Sequence, residues 1–336
     1  MSRKQINYLR LPEPRELSAA FYFGLERAIL EDREGTYLFF WQTAPTVMLG
    51  KYQELIAEVN LETMQERDIT VVRRQSGGGA IYTDEGTVQF SLITPIGDER
   101  LAIETFSKPL LQAVQELGIP ASFNGRNDLV VGEQKFSGQA EYRHQSKLVH
   151  HGSILIDTDL DFLERILKPN PLKLNSKGIA SVRQRVTNLY EHRQFSLAEL
   201  IAAMQAAYEA GGYEFISQDL DEALESRART ISKSLFAPVE ALFSLQLPSE
   251  IKTSRRFKAG TVELTVTVRK GKIETAKLRG DFFTNGDINT LESALIGLSY
   301  DRETVRSVLL NLPEQEIIAG LSNAELSLLI ADSKNN

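Results

Sequence analysis

The sequence predicts an α+β chain built from a large domain and a smaller one, on three observations. Its 336 residues correspond to roughly two domains at about 150 residues each. Segments with helical periodicity are interspersed with β-branched and aromatic runs that lack it. From about residue 252 the texture changes to strict apolar–polar alternation, the mark of a second, small α+β unit. With 42% hydrophobic and 25% charged residues the composition is that of an ordinary globular protein. A chain of this length buries about three quarters of its unfolded surface and needs no staples.

Glu16 to Glu31 reads as an amphipathic helix, with Leu17, Phe21, Leu25, Ala28 and Ile29 at helical spacing and Glu26, Arg27 and Glu31 elsewhere. Thr36 to Gln42 is aromatic and apolar without that period and reads as a buried strand; Ala44 to Gln53 turns into a second. Residues 55–68 read as helix, and Ile69–Val72 and Thr87–Thr94 as strands by β-branched enrichment. Residues 103–117 form a helix stopped by Gly118 and Pro120. Residues 128–131 and 147–156 read as strands flanking a connector with Gly132 and Gly138, and Lys168 to Arg185 as a polar loop. Ser196 followed by Glu199 is a capping box before a further helix.

In the small unit, Val262, Leu264, Val266 and Val268 alternate with Glu263, Thr265, Thr267 and Arg269, a half-exposed strand. Lys270-Gly271 turns it into a second strand around Ile273 to Leu278. Asn289 followed by Glu292 reads as a second capping signal, opening a helix to about Gly297. The boundary is expected in the stretch 237–253, dividing 1–245 from 246–336.

The chain has no cysteine, which excludes disulfides, thiolate metal sites, cysteine nucleophiles and thioester intermediates together. Four histidines argue against an all-histidine metal site. The net charge of −7 offers no basic field for nucleic acid. No signal-peptide core and no run approaching ~20 apolar residues occurs, so a cytoplasmic protein with no membrane contact is expected.

The strongest local signal is Arg73-Arg74-Gln75-Ser76-Gly77-Gly78-Gly79-Ala80. Three glycines allow positive φ and close backbone approach, and successive N–H groups in such a turn make a nest for phosphate. The two arginines add charge and bidentate geometry. No Gly-Lys-Ser/Thr follows, so it is not a Walker loop. On its own, a triple glycine describes a flexible hairpin tip equally well. A second candidate is Asn124 to Asp128 with Gly132 to Gly138: Asn127 and Asp128 are oxygen ligands of the kind Mg²⁺ accepts, and Lys135 is placed to meet an anion. An ordinary solvated lysine is the plain alternative. In His150-His151-Gly152-Ser153 the two imidazoles face opposite sides of a strand, which disfavours a shared ion and favours a hydrogen-bonded structural histidine over a catalytic one. Lys173 to Arg185 is basic and reads as a loop that closes over a ligand or as a solvated face.

Taken in order, RRQSGGGAIYTDEG, GRNDLVVGEQKFSGQA, HHGSILIDTDLDFL and SKGIASVRQRVTNL resemble lipoate–protein ligases of the A type. RRFKAGTVELTVTVRKGKIETAKLRGDFF resembles the accessory C-terminal domain of the bacterial members, so the similarity covers nearly the whole chain. It implies a catalytic domain of the class II aminoacyl-tRNA synthetase and biotin–protein-ligase type, with mixed β-sheets and flanking helices, followed by the small α+β domain. It implies activation of free lipoate by ATP and Mg²⁺ to lipoyl-adenylate with release of pyrophosphate, then transfer to a lysine of a lipoyl domain. The implied acceptors are acyltransferase subunits of 2-oxoacid dehydrogenases and the glycine-cleavage carrier protein.

Carried onto this sequence, the resemblance makes Lys135 the catalytic lysine, touching both phosphate and the lipoate carboxylate. It makes Arg74, Gly79, Ala80, Ile81, Tyr82, Asn127, Asp128, Lys177 and Gly178 nucleotide-binding, and Asp128 a Mg²⁺ ligand. The lipoate side is Arg73, Ser76, Gly77, Gly78, Ser137, Gly138, His151 and Gly152, again with Lys135. Two positions depart from the pattern: the family often has His at Thr83 and Asn at Thr87. An octanoyl or lipoyl transferase of the same superfold commonly works through cysteine, which this chain lacks; a biotin–protein ligase has a different glycine–arginine loop; a non-catalytic lipoate-binding protein is a further class. Arg183, Arg185 and Arg193 are the local basic groups expected to steer an acidic acceptor.

Overall fold

A computed structural model describes residues 4–12, 16–64, 66–67, 69–96, 103–124, 128–168, 185–237, 251–269, 272–299, 302–312 and 317–330. The expected boundary at residues 245/246 lies outside them. Strand β1 (Lys4–Arg10) precedes helix α1 (Ala19–Asp32), whose first turn is capped by the Ser18 hydroxyl accepting from the Phe21 N–H. There follow β2 (Thr36–Trp41) and β3 (Thr46–Leu49). The helix expected over 55–68 is two single turns, α2 (Leu55–Glu58) and α3 (Leu61–Met64). It breaks at Val59, which bridges Leu167, and at Asn60, whose side chain accepts from the Thr63 N–H.

The chain continues through β4 (Thr70–Arg73), β5 (Ile81–Thr83), β6 (Thr87–Pro95), α4 (Ile103–Glu116), β7 (Ala121–Asn124) and β8 (Asp128–Val131). Next come β9 (Gln134–His144), β10 (Lys147–Leu155), α5 (Leu160–Ile166), α6 (Leu197–Ala210), β11 (Tyr213–Asp219) and α7 (Glu222–Ile231). The connector expected between 131 and 147 is therefore a strand, β9, paired with β10 from Ser137 to His144 and with β8 at its start. The Ser196–Glu199 box forms, each side chain bonded to the other residue's backbone N–H.

Eight strands make one sheet in the order β11-β1-β2-β6-β10-β9-β8-β7, parallel at β11-β1-β2 and antiparallel beyond. Alternation sends Leu38, Phe40, Val88, Phe90, Leu92 and Ile154 to one face, under α4 and α6. It sends Tyr37, Phe39, Trp41, Ile93 and Val149 to the other, where α1 and α7 cover part of the face. The small sheet β4-β3-β5 meets this second face through Met48 and Val72. The site lies between the two sheets.

Residues 251–330 have their own core. Strands β12 (Ile251–Phe257), β13 (Gly260–Arg269) and β14 (Lys272–Gly280) form an antiparallel sheet with helices α8 (Ile288–Leu295), α9 (Arg302–Leu310) and α10 (Asn323–Ser327). The capping signal read at Asn289 falls elsewhere: the N-cap is Asp287, whose carboxylate accepts from the Asn289 N–H. Glu292 is instead buried, accepting from the Leu278 N–H and pairing with Lys277 at 2.5 Å. Tyr52, from the large part of the chain, joins this core, stacked on Phe282 at 5.0 Å. No helix among the described residues is long and apolar enough to cross a membrane.

Candidate active site

The glycine-rich turn links β4 to β5 and is held from both sides. The Arg74 guanidinium is buried in it. Its Nε donates to Ser76 Oγ (3.0 Å), Nη1 to the Met48 carbonyl (3.1 Å), and Nη2 to the carbonyls of Gly77 and Gly79 (2.8 Å each). Burial, with Arg73 alongside, lowers its pKa to about 10, so it remains a cation at neutral pH. Three of these bonds go to the loop itself and the fourth ties it to β3, which makes Arg74 the organiser of the turn. Arg73 is likewise turned inward, donating to the carbonyls of Gly50 (3.0 Å) and Gln53. From the other side, the Gly78 N–H donates to the Phe282 carbonyl at 3.1 Å. Gly78 sits at φ +92°, and a Cβ on Gly77 would stand 2.0 Å from the Phe282 oxygen, so both positions require glycine. Gly79 and Ala80 remain partly exposed. Tyr82 points into the small core against Phe162 (5.2 Å), so its ring does not face the cleft.

Ser76 begins a buried polar chain. Its hydroxyl is 2.6 Å from His151 Nε2, and His151 Nδ1 is 2.8 Å from Glu26 Oε1. A carboxylate can only accept, so in the neutral ring Nδ1 carries the proton and Nε2 accepts from Ser76. Ser91 Oγ also donates to Glu26 (2.7 Å) and accepts from Trp41 Nε1 (3.0 Å). Thus the buried guanidinium of Arg74 and the buried carboxyl group of Glu26 are joined through Ser76 and His151. His150 faces the other way. It is completely buried against Phe90, 2.6 Å from Gln139 Oε1, and burial pushes its pKa down to about 3. Glu26 carries no signal in the sequence beyond being a polar residue on a helix; its partner lies 125 residues away.

Lys135 stands at a bulge between β8 and β9. Its ammonium pairs with Asp128 at 2.7 Å and lies over Gly138, where any Cβ would be 2.5 Å from Nζ. Gly138 is opposite Ser153, one row of the sheet from the Ala140–His151 pair, so Lys135, Gly138 and His151 share the second face. Ser137 pairs with Ile154 and Gly152 with Phe90, which directs both to the α4-covered face. The second face therefore carries Lys135, Asp128, Gly138 and His151, with Ser76 of the turn bonded to His151, but not the side of Ser137. Asn127, Lys177 and Gly178 lie outside the described residues, as does Arg183.

Beside the Lys135 backbone, which bridges Val186, stands Arg185. Burial and the neighbouring Arg256 of the small unit both lower its guanidinium pKa. Arg256 is itself paired with the Asp281 carboxylate at 3.0 Å. Arg193 is exposed and donates to the Leu117 carbonyl just past α4. The two departures from the family pattern are internal, Thr83 bonded to Thr43 (2.7 Å) and Thr87 to Thr158 (2.8 Å). No group of three or more metal-ligating side chains occurs among the described residues. Asp128, paired with Lys135, offers one carboxylate of the kind Mg²⁺ accepts.

Residues 18–209 match the family model of the lipoyl protein ligase A/B catalytic domain, and residues 247–330 that of the bacterial lipoate protein ligase C-terminus. The chain is 34% identical over 288 residues to lipoate-protein ligase LplJ of Bacillus subtilis, covering 83% of this chain and 86% of that one. Among solved structures, P. falciparum LipL1 in complex with lipoate superposes with a TM-score of 0.77 at 20% identity, covering 92% and 95% of the two chains. Lipoate-protein ligase A bound with ATP gives 0.63 at 23% identity, covering 73% of this chain and all of that one. The archaeal bipartite lipoate protein ligase of Thermoplasma acidophilum, studied with its E2 lipoyl domain, gives 0.63 at 25% identity over 75% of this chain and all of that one. With its catalytic and C-terminal regions both matched, the chain belongs to the lipoate–protein ligase family.

Proposed function

We propose that this enzyme activates free lipoate with ATP and transfers it to a lysine of lipoyl domains. The observation that carries the reading is the single sheet face that sets Lys135 and Asp128 beside Gly138 and His151, opposite the glycine-rich turn. In the first step a lipoate carboxylate oxygen attacks the α-phosphorus of ATP; the bond to the bridging oxygen breaks and pyrophosphate leaves. Negative charge on the phosphate oxygens is met by the Lys135 ammonium, Arg185 and the backbone N–H groups around Gly79 and Ala80. Bound Mg²⁺, with Asp128 as its protein carboxylate, would neutralise the phosphates. Arg74 acts through the turn it holds, and Arg73 through the Gly50 and Gln53 carbonyls. In the second step the acceptor amine attacks the acyl carbon, AMP leaves and an amide forms. No enzyme nucleophile is needed, in keeping with a chain that has no cysteine.

The acceptors proposed are lipoyl domains of 2-oxoacid dehydrogenase acyltransferase subunits and the glycine-cleavage carrier protein, in the cytoplasm, without nucleic acid or membrane. Division at about residue 245 into a catalytic and an accessory domain goes with this reading, the accessory domain positioning the acceptor or the turn. The test is ATP–pyrophosphate exchange dependent on lipoate and Mg²⁺, followed by mass spectrometry of lipoyl domains. Exchange and a lipoyl mass gain are expected. Absence of both sinks the proposal.

A further inference from the structure

Gln89 on β6 is only 2% exposed, yet neither its amide nitrogen nor its amide oxygen has a hydrogen-bond partner among the described residues. Such a group weakens the protein that carries it unless a ligand completes it. Its direction follows from its strand. Ser91, two residues on, bonds Glu26 and Trp41, so Gln89 shares the face of the buried polar chain. Register places it opposite Trp41 on β2 and opposite Ser153 on β10; Ser153 is opposite Gly138, and Gly138 opposite Asp128.

One row of the sheet thus reads Trp41, Gln89, Ser153, Gly138, Asp128, with the Lys135 ammonium folded over Gly138. Two strand spacings, about 10 Å, separate Gly138 from Gln89, and Trp41 lies one spacing farther. The row is charged at the Lys135 end and aromatic at the other, where Trp41 stacks on Tyr22 at 4.7 Å and meets Phe23 at 5.5 Å. An acid whose carboxylate is held by Lys135 and whose chain follows this row ends beside Gln89 and Trp41.

We propose that Gln89 is a specificity-determining residue that reads the far end of the acyl chain. Its amide N–H donates to a heteroatom there, favouring an acid that ends in a dithiolane over a plain hydrocarbon acid of the same length. Sulfur is a weak acceptor and packs well against an aromatic ring such as Trp41. A hydrocarbon end leaves the amide unpaired, which is how a polar site rejects an apolar analogue. The inference rests on Lys135 holding the carboxylate, as proposed above.

The test compares lipoate with octanoate in ATP–pyrophosphate exchange, for the wild type, Gln89→Met and Gln89→Leu, both close in volume to glutamine. Emission of Trp41, the single tryptophan of the chain, reports binding of each acid without ATP. The lipoate-to-octanoate ratio of kcat/KM is expected to fall about tenfold in either variant, the loss carried by KM and matched in the Kd ratio. The ligand-free variants are expected to melt at or above the wild-type temperature, because an unpaired buried amide has gone. A ratio that stays put, or an equal loss with both acids, overturns the inference while leaving the ligase reading standing. A wild type that exchanges with neither acid overturns the ligase reading, and this inference with it.

Discussion

The two faces of the eight-stranded sheet treat adjacent residues in opposite ways. His150 and His151 are neighbours on β10. His150 is fully buried on the α4-covered face beside Phe90, 2.6 Å from the Gln139 amide oxygen, and burial keeps its imidazole neutral far below the ordinary range. His151, on the other face, is one link between a buried guanidinium and a buried carboxyl group. The difference teaches that burial alone does not decide what a histidine does; the groups at the ends of its hydrogen bonds do. The core face has been filled, whereas the cleft face has been wired.

The largest expected effect breaks the cleft face without touching the core face. Lys135→Ala should lower lipoate-dependent pyrophosphate exchange on the order of a hundredfold to a thousandfold. Lys135 is a partly exposed half of an ion pair, so the same change should alter unfolding free energy by no more than about 1 kcal/mol, checked by urea titration. Unchanged exchange in the folded variant contradicts its role. Next comes Glu26→Ala, which strands His151 Nδ1–H and the Ser91 hydroxyl in a buried site. A loss of about 3 kcal/mol in unfolding free energy is expected, and a loss below 1 kcal/mol would show that the chain of bonds is not buried as described. Gly77→Ala tests the turn from outside the sheet. Its methyl would collide with the Phe282 carbonyl, at an expected cost of about 2 kcal/mol in the same titration.

The smallest effect concerns the core face and pH. An unfolded His150 takes up a proton near pH 6.5, while the native one refuses it until about pH 3. Its folded pKa is depressed, so the stability it confers is fully present above pH 6.5 and is lost as pH falls through that window. The slope approaches about 1.4 kcal/mol per pH unit well below 6.5, and averages about 1 between pH 6.5 and 5.5. His150→Gln should flatten the dependence over that interval; an unchanged slope would mean that other groups produce it.

Much of this could be read from residues alone, because the responsible forces are local. The Ser196–Glu199 box, the helix ended by Gly118 and the splitting of the histidine pair all depend on neighbours within four residues. Failures came where partners are distant in sequence. Strand β9 carries Gln134, Lys135, Ser137, Gln139 and Glu141, a polar run that resembles a connector until pairing with β8 and β10 buries it. Edge strand β11 is likewise half exposed and polar. Glu292 has the spacing of a capping residue but is claimed by β14. Glu26 looks like the solvent face of an amphipathic helix, although nearly all of α1 is enclosed. Arg74 shows how a motif can be legible while its geometry is not: the residue next to the glycines was readable, its inward turn was not.

The bond from Gly78 to the Phe282 carbonyl has one more consequence. A backbone amide at the mouth of the cleft is protected from solvent by an acceptor belonging to another hydrophobic core. Its hydrogen-exchange rate is therefore a built-in gauge: slow while residues 251–330 stay seated against the turn, fast whenever they lift. Following that one amide as ATP, acid and acceptor are added in turn would read, from a single spectroscopic signal, whether residues 251–330 stay seated against the turn at each stage.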